Sequence, residues 1–169
     1  MDSLFDVSVP NEELQAPAFE LLPAAAYATT LQVGTQLVQN DTGWKGIRLP
    51  FAGFRNTKTG QEFAGRQLNA QYTYEHANSQ AVEIGTRGII EAASAFGLTQ
   101  TVDVDGKPSQ KLTASSMEEL VTQFNQVAGS EVEVYVALKE RKRAGQVVRK
   151  EDGTSVMDNE VKRVSALKR

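Results

Sequence analysis

The stretch WKGIRLPFAGFRNTKTGQEFAGRQLNAQYTYE, residues 44–75, decides the fold class. In its first half, every second residue from Ile47 to Phe51 is hydrophobic, which predicts a strand with one buried face. Residues 62–75 alternate in the same way, and residues 56–60 between the two halves have the composition of a turn. Two alternating segments joined by a short turn predict an antiparallel hairpin.

A further strand is predicted before this hairpin, and two helices after it. Residues 25–38 are rich in Thr, Val, Leu and Tyr and end in a turn-rich segment, which predicts the first strand. The hydrophobic period becomes that of a helix over residues 82–96 and again over residues 117–128, where Ser-x-x-Glu capping boxes come first. Residues 103–108, between the helices, are expected to form an exposed loop.

The rest of the chain returns to strands. Residues 131–141 alternate again, and a last short strand is expected near residues 160–167, after a long polar connection at residues 142–159. Three strands, a helical insert and two strands predict a mainly β protein: a five-stranded OB-fold barrel with its helices between strands three and four. A β-sandwich fits less well, because it would not need two helices in mid-chain. The predicted domains are an acidic, partly ordered arm at residues 1–22 and an OB-fold domain at residues 23–169.

The composition excludes several classes of site. There are no cysteines and one histidine, His76, so disulfides, thiol nucleophiles and His- or Cys-based metal sites are not expected, and no cofactor is implied. The chain lacks a secretion signal and an apolar run of about 20 residues, so no membrane association is expected. We therefore expect a soluble, intracellular protein, which fits a reducing cytoplasm.

The motifs of the common enzyme classes are absent. The chain has no GxxxxGK[ST] loop, no GxSxG turn and no HExxH. Asp103-x-Asp105-Gly106 resembles the start of a calcium loop, but Ala114 occupies the twelfth position, where a bidentate Glu is required. We therefore expect no enzymatic activity and no catalytic residues.

Charge is segregated along the chain, although the net charge is −3. Residues 1–42 contain six acids and no Lys or Arg, whereas residues 139–169 contain ten Lys or Arg and five acids. This pattern predicts a basic functional surface and an acidic segment kept apart from it. The alternative is that the basic residues form only a solvated face.

Aromatic rings that stack on bases and a basic groove that attracts phosphates are the two requirements for holding single-stranded DNA. In OB-folds, the face of strands two and three and the first and last hairpin loops bind oligonucleotides; here these loops are residues 39–43 and 142–159. The candidate DNA-binding residues are Trp44, Lys45, Arg48, Phe54, Arg55, Lys58, Arg66, Tyr72, Tyr74, Tyr135, Lys139, Arg141, Lys142, Arg143, Arg149 and Lys150.

The aromatic candidates have a competing interpretation, and the basic candidates include one specific signal. Tyr72 and Tyr74 share the parity of Leu68, which favours packing in the core, and Trp44 fits either role. The most specific local signal is residues 139–143, with four Lys or Arg in five positions.

Four motifs carry a resemblance to a known family: LPAAAY at residues 22–27, NTKTG at 56–60, AFGL at 95–98 and NEVKR at 159–163. With them, residues 22–169 resemble a family of small phage proteins, long described as a domain of unknown function and now associated with OB-fold single-stranded DNA binding. The resemblance implies an accessory DNA-binding role in the cytoplasm of a bacterial host cell. Many single-stranded DNA-binding proteins end in an acidic tail, whereas this chain ends in Lys168-Arg169.

The sequence therefore predicts non-catalytic binding of single-stranded DNA in phage replication, recombination or repair, with phage replication or recombination proteins as partners. The acidic N-terminal arm is the candidate for a partner-recruiting or self-regulating element, and exposed strand edges are compatible with a homo-oligomer. The alternative is a protein-interaction or virion structural module on the same barrel. A nuclease with an unrecognised site is a third, weaker hypothesis.

Overall fold

The structure is a computed structural model that describes residue 8 and residues 21–167. Its long strands are β1 (Ala25–Leu31), β3 (Lys45–Asn56), β4 (Glu62–Glu75), β7 (Glu131–Glu140) and β10 (Met157–Ser165). Its short strands are β2 (Gln36–Gln39), β5 (Thr99–Val104), β6 (Lys107–Leu112), β8 (Lys142–Arg143) and β9 (Gln146–Val147). The helices of this part of the chain are α1 (Ser79–Ala95) and α2 (Met117–Gln126).

The main sheet has six antiparallel strands. Its order is β10-β7-β1-β3-β2, and β4 pairs with β3 as well. The expected mainly β class with a helical insert is confirmed. The sheet is open, however, and the strands of the described region do not close into a barrel.

The predicted first strand at residues 25–38 is in fact two strands, β1 and β2. β1 pairs with the second half of β3 and β2 with the first half. The strand is interrupted between them, where the Oδ1 atom of Asn125 accepts hydrogen bonds from the backbone N–H groups of Gly34 and Thr35. Helix α1 therefore follows the fourth strand, and the predicted position of the helices between strands three and four is wrong.

Two segments predicted as loops contain paired strands. The segment predicted as an exposed loop at residues 103–108 is the tip of a hairpin formed by β5 and β6. The connection at residues 142–159 contains the β8–β9 hairpin, whose turn residues Ala144 and Gly145 both have positive φ, as in a type I′ turn. Polar composition alone does not reveal such pairing, because both faces of these short strands are largely exposed.

Helix α1 packs closely on β4. A Cβ atom on Gly85 would clash with the backbone oxygen of Thr73, and one on Gly88 would clash with the ring of Tyr72. The helix begins at the N-cap Asn78, whose Oδ1 atom accepts from the backbone N–H groups of Gln80 and Ala81. Because these two glycines have no side chains, the helix can cover the inner face of β4. Neither described helix has the length and apolar character needed to cross a membrane.

The core lies between the inner face of the sheet and the two helices. Its largest fully buried side chains are Tyr27, Phe51, Phe54, Phe124 and Leu22. Leu22 was assigned to the N-terminal arm, but its burial makes it part of the domain. The rest of that arm, apart from residues 8 and 21, lies outside the described residues.

Phe54, one of the candidate DNA-binding residues, does not lie on the outward face, because a β-bulge reverses the alternation of β3. The register with β4 shifts between Ala52 and Phe54, and Gly53 has a φ of +73°. Phe54 consequently turns inward, where its ring meets Tyr27 edge to face at a centroid distance of 6.2 Å.

Candidate nucleic-acid interface

The outward face of the main sheet is the face opposite the core, and strand register defines its rows. The residues that share each row can be read across β2, β3, β4, β1 and β7. From one end to the other, the rows are Gln36, Arg48 and Gln71; Pro50 and Asn69; Glu131, Thr30, Ala52 and Gln67; Glu133, Ala28, Arg55 and Glu62; and Tyr135 and Ala26.

Trp44 lies at the first end of the outward face. Its six-membered ring covers Gly46, since a Cβ atom on that glycine would lie 2.7 Å from Cζ2 of the indole. The indole Nε1 atom donates a 2.7 Å hydrogen bond to Oγ1 of Thr73, the residue paired with Gly46 across the sheet. Trp44 is half-buried. The ring is therefore fixed against the sheet while part of it remains exposed to solvent.

Arg48 lies in the neighbouring row and is held by an amide. Its Nε and Nη2 atoms donate to Oε1 of Gln71 at 3.2 and 3.1 Å. A guanidinium group has five N–H donors, so three remain available. Trp44 and Arg48 thus place an aromatic ring and a cation side by side.

Amide side chains surround this pair, and the candidate list did not include them. Gln36, Gln67, Asn69 and Gln71 are exposed on the outward face. The signal was present in the sequence as a Gln-x-Asn-x-Gln alternation along β4. Amides can donate to and accept from base edges, so these residues extend the hydrogen-bonding capacity of the face.

The middle of the outward face is acidic. Arg55 forms an ion pair with Glu131 at 3.4 Å, and Glu62 and Glu133 occupy the same row as Arg55. Arg55 is therefore the one cation of these rows, and a carboxylate already neutralises it. This part of the face is poorly suited to binding phosphate.

Tyr135 lies at the other end. It is 45% exposed, as predicted, and borders a groove of about 410 Å³ together with Lys58. The remaining wall comes from Ala24 to Ala26 and from the turn after β3. In that turn, Asn56 Oδ1 accepts from the backbone N–H groups of Lys58 and Thr59. The groove has an exposed ring and a nearby ammonium group.

The segment from Lys139 to Lys150, named here the basic arm, continues outward from Tyr135 along β7. It is an ordered structure, because Arg141 N donates to Val156 O and Val148 N donates to Arg141 O. Lys139, Lys142, Arg143 and Lys150 are exposed, and the described residues place no carboxylate within ion-pair distance of them.

Arg141 and Arg149 differ from the other cations of the basic arm. Arg141 forms a bidentate pair with Asp158, with Nη2 to Oδ1 at 2.7 Å and Nε to Oδ2 at 3.1 Å. This hydrogen-bonded guanidinium lowers the pKa of the Asp158 carboxyl below its usual value. Arg149 donates from Nη1 to the backbone oxygen of Gly153. Both residues help to hold the arm in place.

Four other candidate residues make contacts that stabilise the fold. Lys45 pairs with Glu75 at 2.8 Å. Arg66 is half-buried, and its Nη2 atom lies 3.4 Å from Oδ1 of Asn159. Tyr72 and Tyr74 pack against the core, and burial raises the pKa of Tyr72. This packing favours the core interpretation of both tyrosines over stacking on a base.

The residues that the structure brings together on this face are aromatic, cationic and amide side chains. Within residues 21–167, no group of three or more His, Asp or Glu side chains could hold a metal ion. No protein-family model and no curated protein sequence matches the chain. The motifs that carry the resemblance to the phage family are structural in this fold: Tyr27 is in the core, Asn56 caps a turn, and Asn159 bonds to Leu22.

Proposed function

We propose that this chain binds single-stranded DNA without chemically changing it, as an accessory protein of phage replication or recombination. The observation that carries the proposal is the basic arm. Lys139 lies on the same face of β7 as the exposed ring of Tyr135, and the unpaired cations Lys142, Arg143 and Lys150 follow in the arm beyond the end of β7. Phosphates are attracted by such cations and bases by such a ring.

The order of the long strands supports the proposal. The five long strands lie in the order β4-β3-β1-β7-β10, and the short strand β2 pairs with β3 beside β1. We infer an OB-like arrangement, a fold that is partly open and binds oligonucleotides on the face of its second and third strands. In this chain those strands are β3 and β4, which carry Arg48 and the row of amides.

The stacking part of the proposal depends on fewer rings than expected. Phe54 is buried, and Tyr72 and Tyr74 pack on the core. Trp44 and Tyr135 remain. We therefore propose binding through cations and amides, with two aromatic contacts, which fits weak dependence on base sequence.

The test is fluorescence anisotropy with labelled oligo(dT) at low and at moderate salt. Binding should weaken steeply as the salt concentration rises, because each phosphate contact releases counterions. A matched labelled duplex of the same length serves as the control for binding to any polyanion. Absence of binding at low salt would refute the proposal and favour a protein-interaction module. Loss of the labelled strand upon addition of Mg²⁺ would instead indicate a nuclease.

A further inference from the structure

Charge alternates along the outward face, with cations at both ends and carboxylates in the middle. We propose that a single strand is held at two separate subsites, one at each end of this face, and that the middle contacts bases but no phosphates. This inference rests on the proposed function. It adds that the site is bipartite and that its occupancy depends on the length of the strand.

The first subsite is formed by Trp44 and Arg48. The indole is fixed by its hydrogen bond to Thr73 and by its contact with Gly46, so it offers a ring of fixed orientation to a base. Gln71 holds the guanidinium of Arg48 by two of its five donors. The remaining donors can bind a phosphate or a base edge adjacent to the stacked base.

The second subsite is the groove beside Tyr135. The exposed ring forms one wall, and Lys58 lies at its rim. Four residues further along the same face of β7, Lys139 begins the basic arm. A base in the groove would therefore have its flanking phosphates near unpaired ammonium groups.

The part of the outward face between the two subsites repels phosphate but leaves space for bases. Glu62 and Glu133 lie in one row, next to the Arg55–Glu131 pair. A pocket of about 220 Å³ opens there above residues with small or no side chains, among them Ala28, Ala52 and Gly53. A strand that crosses this region therefore has to turn its phosphates toward solvent.

The spacing of the subsites sets the expected length of strand. The rows of Arg48 and Tyr135 are about eight residues apart along the strands, or roughly 26 Å at 3.3 Å per residue. At the duplex rise of about 3.4 Å per nucleotide, roughly eight nucleotides span this distance, and this is an upper figure because an unstacked single strand is longer per nucleotide. This length is within the range of about 4–16 nucleotides for one OB-fold.

The experiment titrates the protein with oligo(dT) of four and of twelve nucleotides and follows the emission of Trp44. Both oligomers should quench Trp44, because both can occupy the first subsite. The longer one should bind at least about 100-fold more tightly, since its second contact is intramolecular. Tyr135→Ala should remove at least about tenfold of that gain and leave the titration with the four-nucleotide oligomer unchanged. Tyr135→Phe, which keeps the ring, should retain the gain.

The outcomes distinguish this inference from the proposed function. If Tyr135→Ala weakens both oligomers equally, or if the longer oligomer gains no more than about ninefold, which its larger number of binding registers on a single subsite already provides, the bipartite site is wrong while DNA binding stands. If neither oligomer binds, the proposed function fails as well. Tyr135 is exposed, so its replacement should leave the melting temperature unchanged and keep these outcomes interpretable.

Discussion

The side chain of Asn159 pairs with the backbone of Leu22 as a neighbouring strand would. Its Nδ2 atom donates to Leu22 O at 2.8 Å, and its Oδ1 atom accepts from Leu22 N at 2.9 Å. Leu22 itself is fully buried. The pair joins the start of the domain to β10 across 137 positions of sequence, and it defines where the N-terminal segment meets the fold.

Replacement of Asn159 should destabilise the protein although the residue is not part of the hydrophobic core. Asn159→Ala leaves the N–H and C=O groups of Leu22 without these partners, which costs about 1–3 kcal/mol of the free energy of unfolding. Urea unfolding followed by circular dichroism measures the change. Asn69→Ala on the exposed face is the matched control and should change stability by less than about 0.5 kcal/mol. Equal stability of the two variants would show that the Leu22 pairing contributes nothing.

The burial of Leu22 also predicts where the chain tolerates truncation. Removal of residues 1–20 should leave the domain folded, whereas Leu22→Ala should cost about 2–5 kcal/mol as a core truncation.

Residues 1–20 contain five acids and no Lys or Arg. The truncated protein should therefore bind oligo(dT) more tightly at low salt, because repulsion of phosphate is removed. Anisotropy at two salt concentrations would test this, and unchanged affinity at both would show that the segment has no influence on binding.

These features show what the sequence could and could not predict. Alternation along β4, β7 and the part of β3 before Gly53 correctly predicted which residues are buried, because period-two patterns report local burial directly. Phe54 was misplaced because one extra residue at Gly53 reverses the alternation, and nothing in the local composition distinguishes that glycine from a turn glycine. The pairing of Leu22 with Asn159 depends on long-range topology, which no local pattern contains.

The candidate site was predicted in part, for the same reason. Residues 139–143 were recognised by their charge, and Tyr135 by its parity. Arg55 pairs with Glu131 on a different strand, and Arg141 pairs with Asp158 at the other end of a long connection. Both ion pairs therefore depend on strand register, which local sequence does not contain. The hydrogen bond that fixes Trp44 likewise requires β3 and β4 to be aligned so that Thr73 lies opposite Gly46.

The pair formed by Arg141 and Asp158 predicts a pH dependence of stability. The pKa of Asp158 is lower in the folded protein than its ordinary value of 3.8. Its contribution to stability is therefore present above about pH 4 and is lost as the pH falls through the lowered pKa. The difference in melting temperature between the wild type and Asp158→Asn should be constant near neutral pH and shrink below pH 4. A difference that keeps its full neutral-pH size however far the pH falls below 4 would contradict the role of the carboxylate charge.

The basic arm predicts a specific change in the dependence of DNA affinity on salt. Lys142→Ala combined with Arg143→Ala should weaken binding and make the logarithmic salt slope shallower by about 1.4, or roughly 0.7 for each lost phosphate contact. Lys107→Ala combined with Lys111→Ala removes the same charge from the β5–β6 hairpin and is the control. If both double variants change the slope alike, the cations of the arm act only through net charge. Thermal stability should be unaltered in both, because all four side chains are exposed.

Trp44 tests stacking separately from charge. It is the only tryptophan of the chain, so intrinsic emission has a single origin, and a base lying on the indole should quench it saturably during titration with oligo(dT). Trp44→Ala should weaken binding by about 1–3 kcal/mol, the range for one stacked base. Trp44→Phe, which keeps a ring over Gly46, should recover most of that loss.

Thr73→Val separates orientation from stacking, because it removes the hydrogen bond that fixes the indole and leaves the ring itself in place. We expect this variant to bind with an affinity between those of the wild type and Trp44→Ala. The opposite result would be emission that oligo(dT) does not quench, together with a Trp44→Ala variant that loses about 3–5 kcal/mol of stability, as a core Trp→Ala change does. That result would show that the indole serves the packing of β3 on β4. Tyr135 would then be the ring left for stacking.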